Sequence, residues 1–155
     1  MNAEGKKKAK GGKGEVQLFQ PMTLRGVTMR NRIWLPPMDT YSAVAQDGKP
    51  TQHYVSRAMG GFGMIIAEAT AVTADGRISP RDVGLWNDDQ VAAWHWIVDG
   101  IKQAGAVAAV QLNHAGRKGS TGCFGVGFEG KSVPEDAGGW RRARSRTVGS
   151  PIRAR

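Results

Sequence analysis

The sequence predicts an α/β fold built on a parallel sheet. Three observations carry this. The runs "IWLPPM", "FGMIIAEATAV" and "AVAAVQL" are short, apolar and rich in β-branched or small residues, as strands covered on both faces are. Segments with helical character lie between them, so the order is strand, helix, strand, helix, strand, and right-handed crossovers make such strands parallel. Each apolar run also ends downstream in polar residues, the end at which parallel sheets collect their ligands.

The elements follow in chain order. "VQLFQPMTLRGVTMRNR" has short apolar stretches on either side of Arg25-Gly26, the pattern of a small hairpin or cap. "IWLPPM" must finish as a strand at Pro36-Pro37, because proline has no N–H for a ladder. Residues 51–60, "TQHYVSRAMG", form a helix with Thr51 as N-cap and Gly60-Gly61 as its stop. "FGMIIAEATAV" is the second strand, and "GGFG" at 60–63 precedes it, where it ends a helix rather than cradling a phosphate.

Residues 87–105, "NDDQVAAWHWIVDGIKQAG", carry the clearest helix signal. Asn87 or Asp88 caps it, acids fill its first turn, Val91, Trp94, Val98 and Ile101 recur on one face, and Gly105 ends it. "AVAAVQL" is the third strand. From residue 119 on, glycine-rich loop replaces the alternation.

Charge divides the 155 residues into three parts. Residues 1–14 hold five lysines and one glutamate, and residues 141–155 hold six arginines and no acid. Residues 15–140 hold eleven Lys and Arg against twelve Asp and Glu, so the net charge of +9 sits on the two ends. The expected organisation is a flexible basic leader over 1–14, one folded unit over 15–140, and a disordered Arg-rich tail over 141–155. Nucleic-acid binders spread their cations over a folded face, often among aromatics, so this distribution argues against nucleic acid as the main partner. Basic arms acting on nucleic acid remain the alternative.

No stretch reaches the roughly 18 apolar residues of a membrane span, and no apolar segment follows the first lysines as in a secretory signal. The single cysteine, Cys123, precludes an internal disulfide and fits a reducing compartment, with the cytoplasm the simplest location. His53, His95 and His114 are scattered without metal-ligand spacing, so no metal is expected. There is no phosphate loop, no G-x-G-x-x-G after the first strand and no nucleophile elbow.

The polar groups converge instead. The first strand ends in Pro36, Pro37, Met38, Asp39 and Thr40, with Tyr41 close behind; the second in Glu68, Ala69 and Thr70; the third in Gln111, Asn113 and His114. Three neighbouring strand ends with hydrogen-bonding groups on one rim read as one ligand site.

Four stretches resemble the Old Yellow Enzyme family of FMN-dependent ene-reductases, in its xenobiotic-reductase-like branch. They are "LFQPMTLRGVTMRNRIWLPPMDTYSA", "DGKPTQHYVSRAMGGFGMIIAEATAV", "GRISPRDVGLWNDDQ" and "VQLNHAGRK", in the family's order and spacing over residues 17 to 118. "GKSVPEDAGGW" resembles the family's next loop and extends the likeness to Trp140.

The resemblance implies the N-terminal part of a (β/α)8 TIM barrel, about three strands, with FMN across the C-terminal mouth and NAD(P)H as reductant. It implies an activated alkene, such as an enone, as the small-molecule substrate. Carried over by position, Pro36, Pro37 and Met38 run along the isoalloxazine, and Asp39 and Ala69 lie at its O4/N5 edge. Gln111 bonds the pyrimidine part of the ring, and Tyr41 lines the substrate pocket as the catalytic-face tyrosine. Gln111 as a packing residue is the competing reading. His114 and Arg117 lie in a family motif, either as ligand contacts or as a supporting shell.

Asp39 departs from the Cys or Thr usual in the family. A complete member is implied to be roughly twice as long. Its substrate-clamping histidine pair, proton-donating tyrosine, arginine near N1 and phosphate loops then fall outside this sequence, and activity of the chain alone is not expected. The acid-free run after Trp140 reads as a shifted reading frame, giving a truncated, non-catalytic product as a further alternative. Open barrel edges make self-association an expected hazard.

Overall fold

A computed structural model describes residues 16–43, 52–125 and 127–142. The basic leader, the expected N-cap Thr51 and most of the Arg-rich tail lie outside the described residues.

The first element is the expected hairpin. Strands β1 (Met22–Leu24) and β2 (Val27–Met29) pair antiparallel. Arg25 and Gly26 between them both have positive φ, 45° and 84°, the two-residue turn whose twist suits a hairpin. Met29 is fully buried, whereas Leu24 and Val27 face outward.

The main sheet has three parallel strands in the order β3 (Trp34–Leu35), β4 (Met64–Ala71), β5 (Val107–Asn113). As the prolines require, β3 stops at Leu35. Helix α1 (His53–Met59) crosses from β3 to β4, and α2 (Asp88–Gln103) from β4 to β5. This is the β/α alternation of a barrel's opening third, as an open sheet with no closed barrel among the described residues.

Local capping explains α2. The Asn87 side chain accepts from the Gln90 N–H at 2.9 Å, Asp88 and Asp89 occupy the positive first turn, and Gly105 at φ 78° follows its end. Its inner stripe differs from the expected one. Gln90, Trp94, Ile97 and Ile101 are buried, whereas Val91 is exposed and Val98 half-buried. Gln90 takes an inner position because its Oε1 accepts from the Trp86 N–H at 2.7 Å. Trp96 is also exposed.

The core lies between the sheet and the helices, formed by Leu35, Tyr54, Ile65, Trp94, Ile97 and Ile101. Tyr54 and Trp94 stack with ring centroids 5.8 Å apart, and the indole N–H donates to the Gly84 carbonyl. The helices meet at Gly100, where a Cβ would come within 2.9 Å of Val55 Cγ2. β5 is less covered than its sequence predicts. None of its residues is buried, and Leu112 is 63% exposed, because it forms an edge of the described sheet.

The N-terminal end of the sheet is closed by two side chains. Arg30 donates to the carbonyls of Ala58, Phe62 and Ala104, joining the last turns of both helices. Asn31 donates to the Gly61 carbonyl and accepts from the Ile33 N–H.

Candidate functional site

At the opposite end, the three strands finish side by side. β4 and β5 run in register until Ala67, paired with Val110; the next pair is Ala69 with Gln111. Glu68 is therefore an extra residue, a bulge of the kind that redirects side chains near functional sites. Beyond it, Thr70 pairs with Leu112 and Ala71 with Asn113.

The exit segment of β3 is tied to this bulge. The Ala69 N–H donates to Asp39 Oδ1 at 3.2 Å. The Thr40 N–H and hydroxyl donate to the two oxygens of Glu68 at 3.0 and 2.8 Å, and the Tyr54 hydroxyl donates to Glu68 Oε1 at 2.6 Å. The polar residues expected at three strand ends thus share one rim. Glu68 was visible there as a strand-end polar residue, but its role as the hub of the network was not.

The expected site residues are distributed as follows. Met38 is 55% exposed on the rim, Pro36 is exposed, Pro37 is half-buried and Ala69 is buried. Gln111 is exposed opposite Ala69. Asp39 is half-buried, and burial, then the nearby Glu68, push its carboxyl above the ordinary range despite the Ala69 N–H. Tyr41 is half-buried with φ 51°, in the left-handed region, and burial and then Asp39 raise its hydroxyl pKa.

His114 and Arg117 sit on the loop after β5. His114 Nδ1 accepts from the Gly116 N–H at 3.1 Å, and its ring lies against Gly76, where a Cβ would approach its Cδ2 to 2.9 Å. Arg117 is exposed on the short 3-10 turn Gly116–Lys118, and its carbonyl accepts from Arg142.

The loops after β4 and β5 form a joint wall beside the rim. The Ala115 N–H donates to Gly76 and the Thr121 N–H to Ile78. Asp82, buried, accepts from the Ser79 hydroxyl and the backbone N–H groups of Ile78 and Ser79, while burial pushes its pKa up. The Arg77 guanidinium lies 4.5 Å from the Trp140 ring centroid and 5.7 Å from that of Trp86. The Trp140 indole N–H donates to the Asp75 carbonyl, so the chain up to Trp140 packs with the preceding wall.

The rim fits a planar, polar ring. Ala69 is a small residue beside Asp39, and the opposite Gln111 offers an amide that can donate and accept. Asn113, two residues on, has its Nδ2 buried without a hydrogen-bond partner among the described residues. By contrast, a hollow of about 260 Å3 between α2 and β5, lined by Leu85, Trp94, Val98 and Val110 among others, is almost wholly apolar and lies on the outer side of the sheet. Lys102 is the one charged residue on its lining, and the convergent polar groups that would orient such a ligand are at the rim instead.

Comparison with known proteins agrees with this geometry. The sequence profile of the NADH:flavin oxidoreductase / NADH oxidase family matches residues 17–126. NADPH dehydrogenase of Listeria welshimeri is 53% identical over 106 residues, covering 66% of this chain and 31% of that protein. NADPH dehydrogenase of Bacillus cytotoxicus is 49% identical over 106 residues with the same coverage.

Among solved structures, an old yellow enzyme homologue from Zymomonas mobilis matches with a TM-score of 0.60 and 37% identity, over 66% of this chain and 29% of that one. The old yellow enzyme of Trypanosoma cruzi matches with a TM-score of 0.61 and 32% identity, over 66% and 28%. The chain spans about a third of the length of the curated relatives it matches. A profile match over most of the chain and the parallel sheet with its strand-end rim place this protein in the NADH:flavin oxidoreductase / NADH oxidase family.

Proposed function

We propose that this chain supplies one wall of the FMN site of an NADPH-dependent ene-reductase that reduces activated alkenes such as enones. The observation that carries the reading is the register pair Ala69–Gln111 beside the Asp39–Ala69 hydrogen bond, which joins three strand ends into one surface.

In this reading the backbone of Pro36, Pro37 and Met38 runs along the ring, Ala69 and Asp39 face its O4/N5 edge, and Gln111 pairs with its pyrimidine part. When bound, FMN supplies hydride chemistry between NADPH and the alkene. Gln111 holds the ring's polar edge, and the half-buried Asp39 sets the charge beside it. Tyr41, held near Asp39, faces the substrate side. His114 is a supporting residue: its ring is committed to Gly116 and packs on Gly76. Arg117 flanks the rim.

Asp39 gives the reading a sharp test. An ionised carboxylate disfavours an anionic reduced flavin, so it lowers the flavin's midpoint potential. Replacing Asp39 with Thr or Cys is expected to raise that potential by about 30 mV, equivalent to about 1.4 kcal/mol for two electrons. The gap widens as pH rises, because Asp39 becomes fully charged only above its raised pKa. Equal potentials for all three proteins across pH would reject the assignment of Asp39. The reading as a whole is tested by adding FMN to the purified chain. Binding is expected to quench flavin fluorescence, and Gln111→Ala is expected to weaken it about tenfold, the worth of a hydrogen bond or two. No binding by the unaltered chain would contradict an independently formed wall.

A further inference from the structure

We propose that Glu68 is a positioning residue: its bulged carboxylate fixes the segment Asp39–Tyr41 against β4, and through it the place of the Asp39 carboxyl on the rim. The inference rests on the flavin reading only for its consequence for the cofactor; the network itself stands on the geometry.

The bulge is what makes the arrangement possible. A regular strand alternates its side chains, and inserting one residue between Ala67 and Ala69 changes which way the chain faces at the strand end. Glu68 is 1% exposed, and a carboxylate so buried is tolerated only when its lone pairs are filled. Three donors fill them: the Thr40 N–H on Oε2, and the Thr40 and Tyr54 hydroxyls on Oε1. Tyr54 is itself locked, since its hydroxyl accepts from the Glu68 N–H and its ring stacks on Trp94.

The consequence falls on Asp39. It lies one residue before Thr40, and its Oδ1 accepts from the Ala69 N–H, one residue after Glu68. Two adjacent tethers, Thr40 to Glu68 and Ala69 to Asp39, therefore bind the β3 exit to the bulge residue by residue. After burial, Glu68 on β4 is the titratable group that raises the Asp39 pKa. The Asp39 charge in turn adds to burial in raising Tyr41 on its own segment, Tyr54 on α1 and Asp82 on the following loop.

The experiment uses the full chain, isotope-labelled, in three forms: unaltered, Glu68→Gln and Thr40→Val. Glu68→Gln keeps the size but turns one acceptor into a donor and removes the charge. The exchange protection of the Thr40 amide is expected to fall about tenfold. The Val107 amide, bonded to Gly63 at the other end of the sheet, is expected to keep its protection. The Asp39 carboxyl is expected to titrate at lower pH than in the unaltered chain as the Glu68 charge is lost. The Thr40→Val variant, which weakens the tether but keeps that charge, separates this shift from one caused by loosened burial. Thr40→Val removes only the hydroxyl, so protection should fall about threefold while Asp39 titrates as before; it decides the matter should Glu68→Gln fail to fold. Unchanged Thr40 protection in either variant, or an unmoved Asp39 titration in Glu68→Gln, would overturn the proposal. With FMN added, Glu68→Gln is expected to bind about tenfold more weakly. If the unaltered chain binds no FMN, the flavin reading fails while the Thr40 and Asp39 measurements still decide the role of Glu68.

Discussion

The two ends of the parallel sheet are built on opposite terms. At the N-terminal end, Arg30 and Asn31 donate to backbone carbonyls that the helix ends and turns would otherwise leave bare. At the C-terminal end, Gln111 is exposed, the Asn113 amide nitrogen is buried without a partner among the described residues, and burial, then the nearby Glu68, push Asp39 up in pKa. One end uses its polar groups to close the fold; the other leaves some of them open on the rim, where the proposed flavin site lies. Barrels divide their faces in this way, with stability below and chemistry above.

The comparison is broken most severely by Gly63→Ala. A Cβ there would lie 2.5 Å from Asn31 Oδ1 and 2.6 Å from the Asn31 carbonyl oxygen, which is backbone and cannot swing aside. A loss of about 3 kcal/mol in unfolding free energy is expected from denaturant titration. Next is Arg30→Met, which removes the donors to Ala58, Phe62 and Ala104 but keeps an apolar stem. Its partly exposed bonds are worth about 2 kcal/mol together.

At the other end the sign of the expectation changes. Gln111→Ala should alter stability by less than about 0.5 kcal/mol, as for an exposed residue, while weakening flavin binding. A large stability loss in Gln111→Ala would make it a packing residue and erase the contrast between the ends.

The smallest effect belongs to Asp39→Asn. The folded Asp39 keeps its proton to higher pH than the unfolded chain, whose carboxyl has the ordinary value of 3.8. Between those two values the native state holds more protons, so the unaltered chain loses stability as pH rises. Asp39→Asn lacks that loss, and the difference between the two thermal profiles should grow across this window and then level off. A difference that shrinks with rising pH would contradict the environment described for Asp39.

Much of this was legible where the signal is local. The hairpin at Arg25-Gly26, the stop at Pro36, the Asn87 cap and the glycine after α2 each need only neighbouring residues to act. The strand-end rim was legible because parallel alternation puts those ends together. What failed to show were properties of pairing and distance. A periodic pattern assigns Val91 and Val98 to the inner stripe of α2, but Gln90 displaces them by finding a partner in the Trp86 N–H. The bulge at Glu68 is a matter of register, which no residue type announces. Arg30 caps a helix end 74 residues away, and its sequence neighbourhood looks like any exposed hairpin exit.

The most direct test maps where flavin touches the chain. FMN is titrated into the labelled protein and backbone amide shifts are followed residue by residue. The changes are predicted to concentrate at Asp39, Ala69, Gln111 and Asn113, leaving Arg30, Gly63 and Gly105 still. Shifts centred on Trp94, Val98 and Val110, or spread evenly over both ends of the sheet, would contradict it.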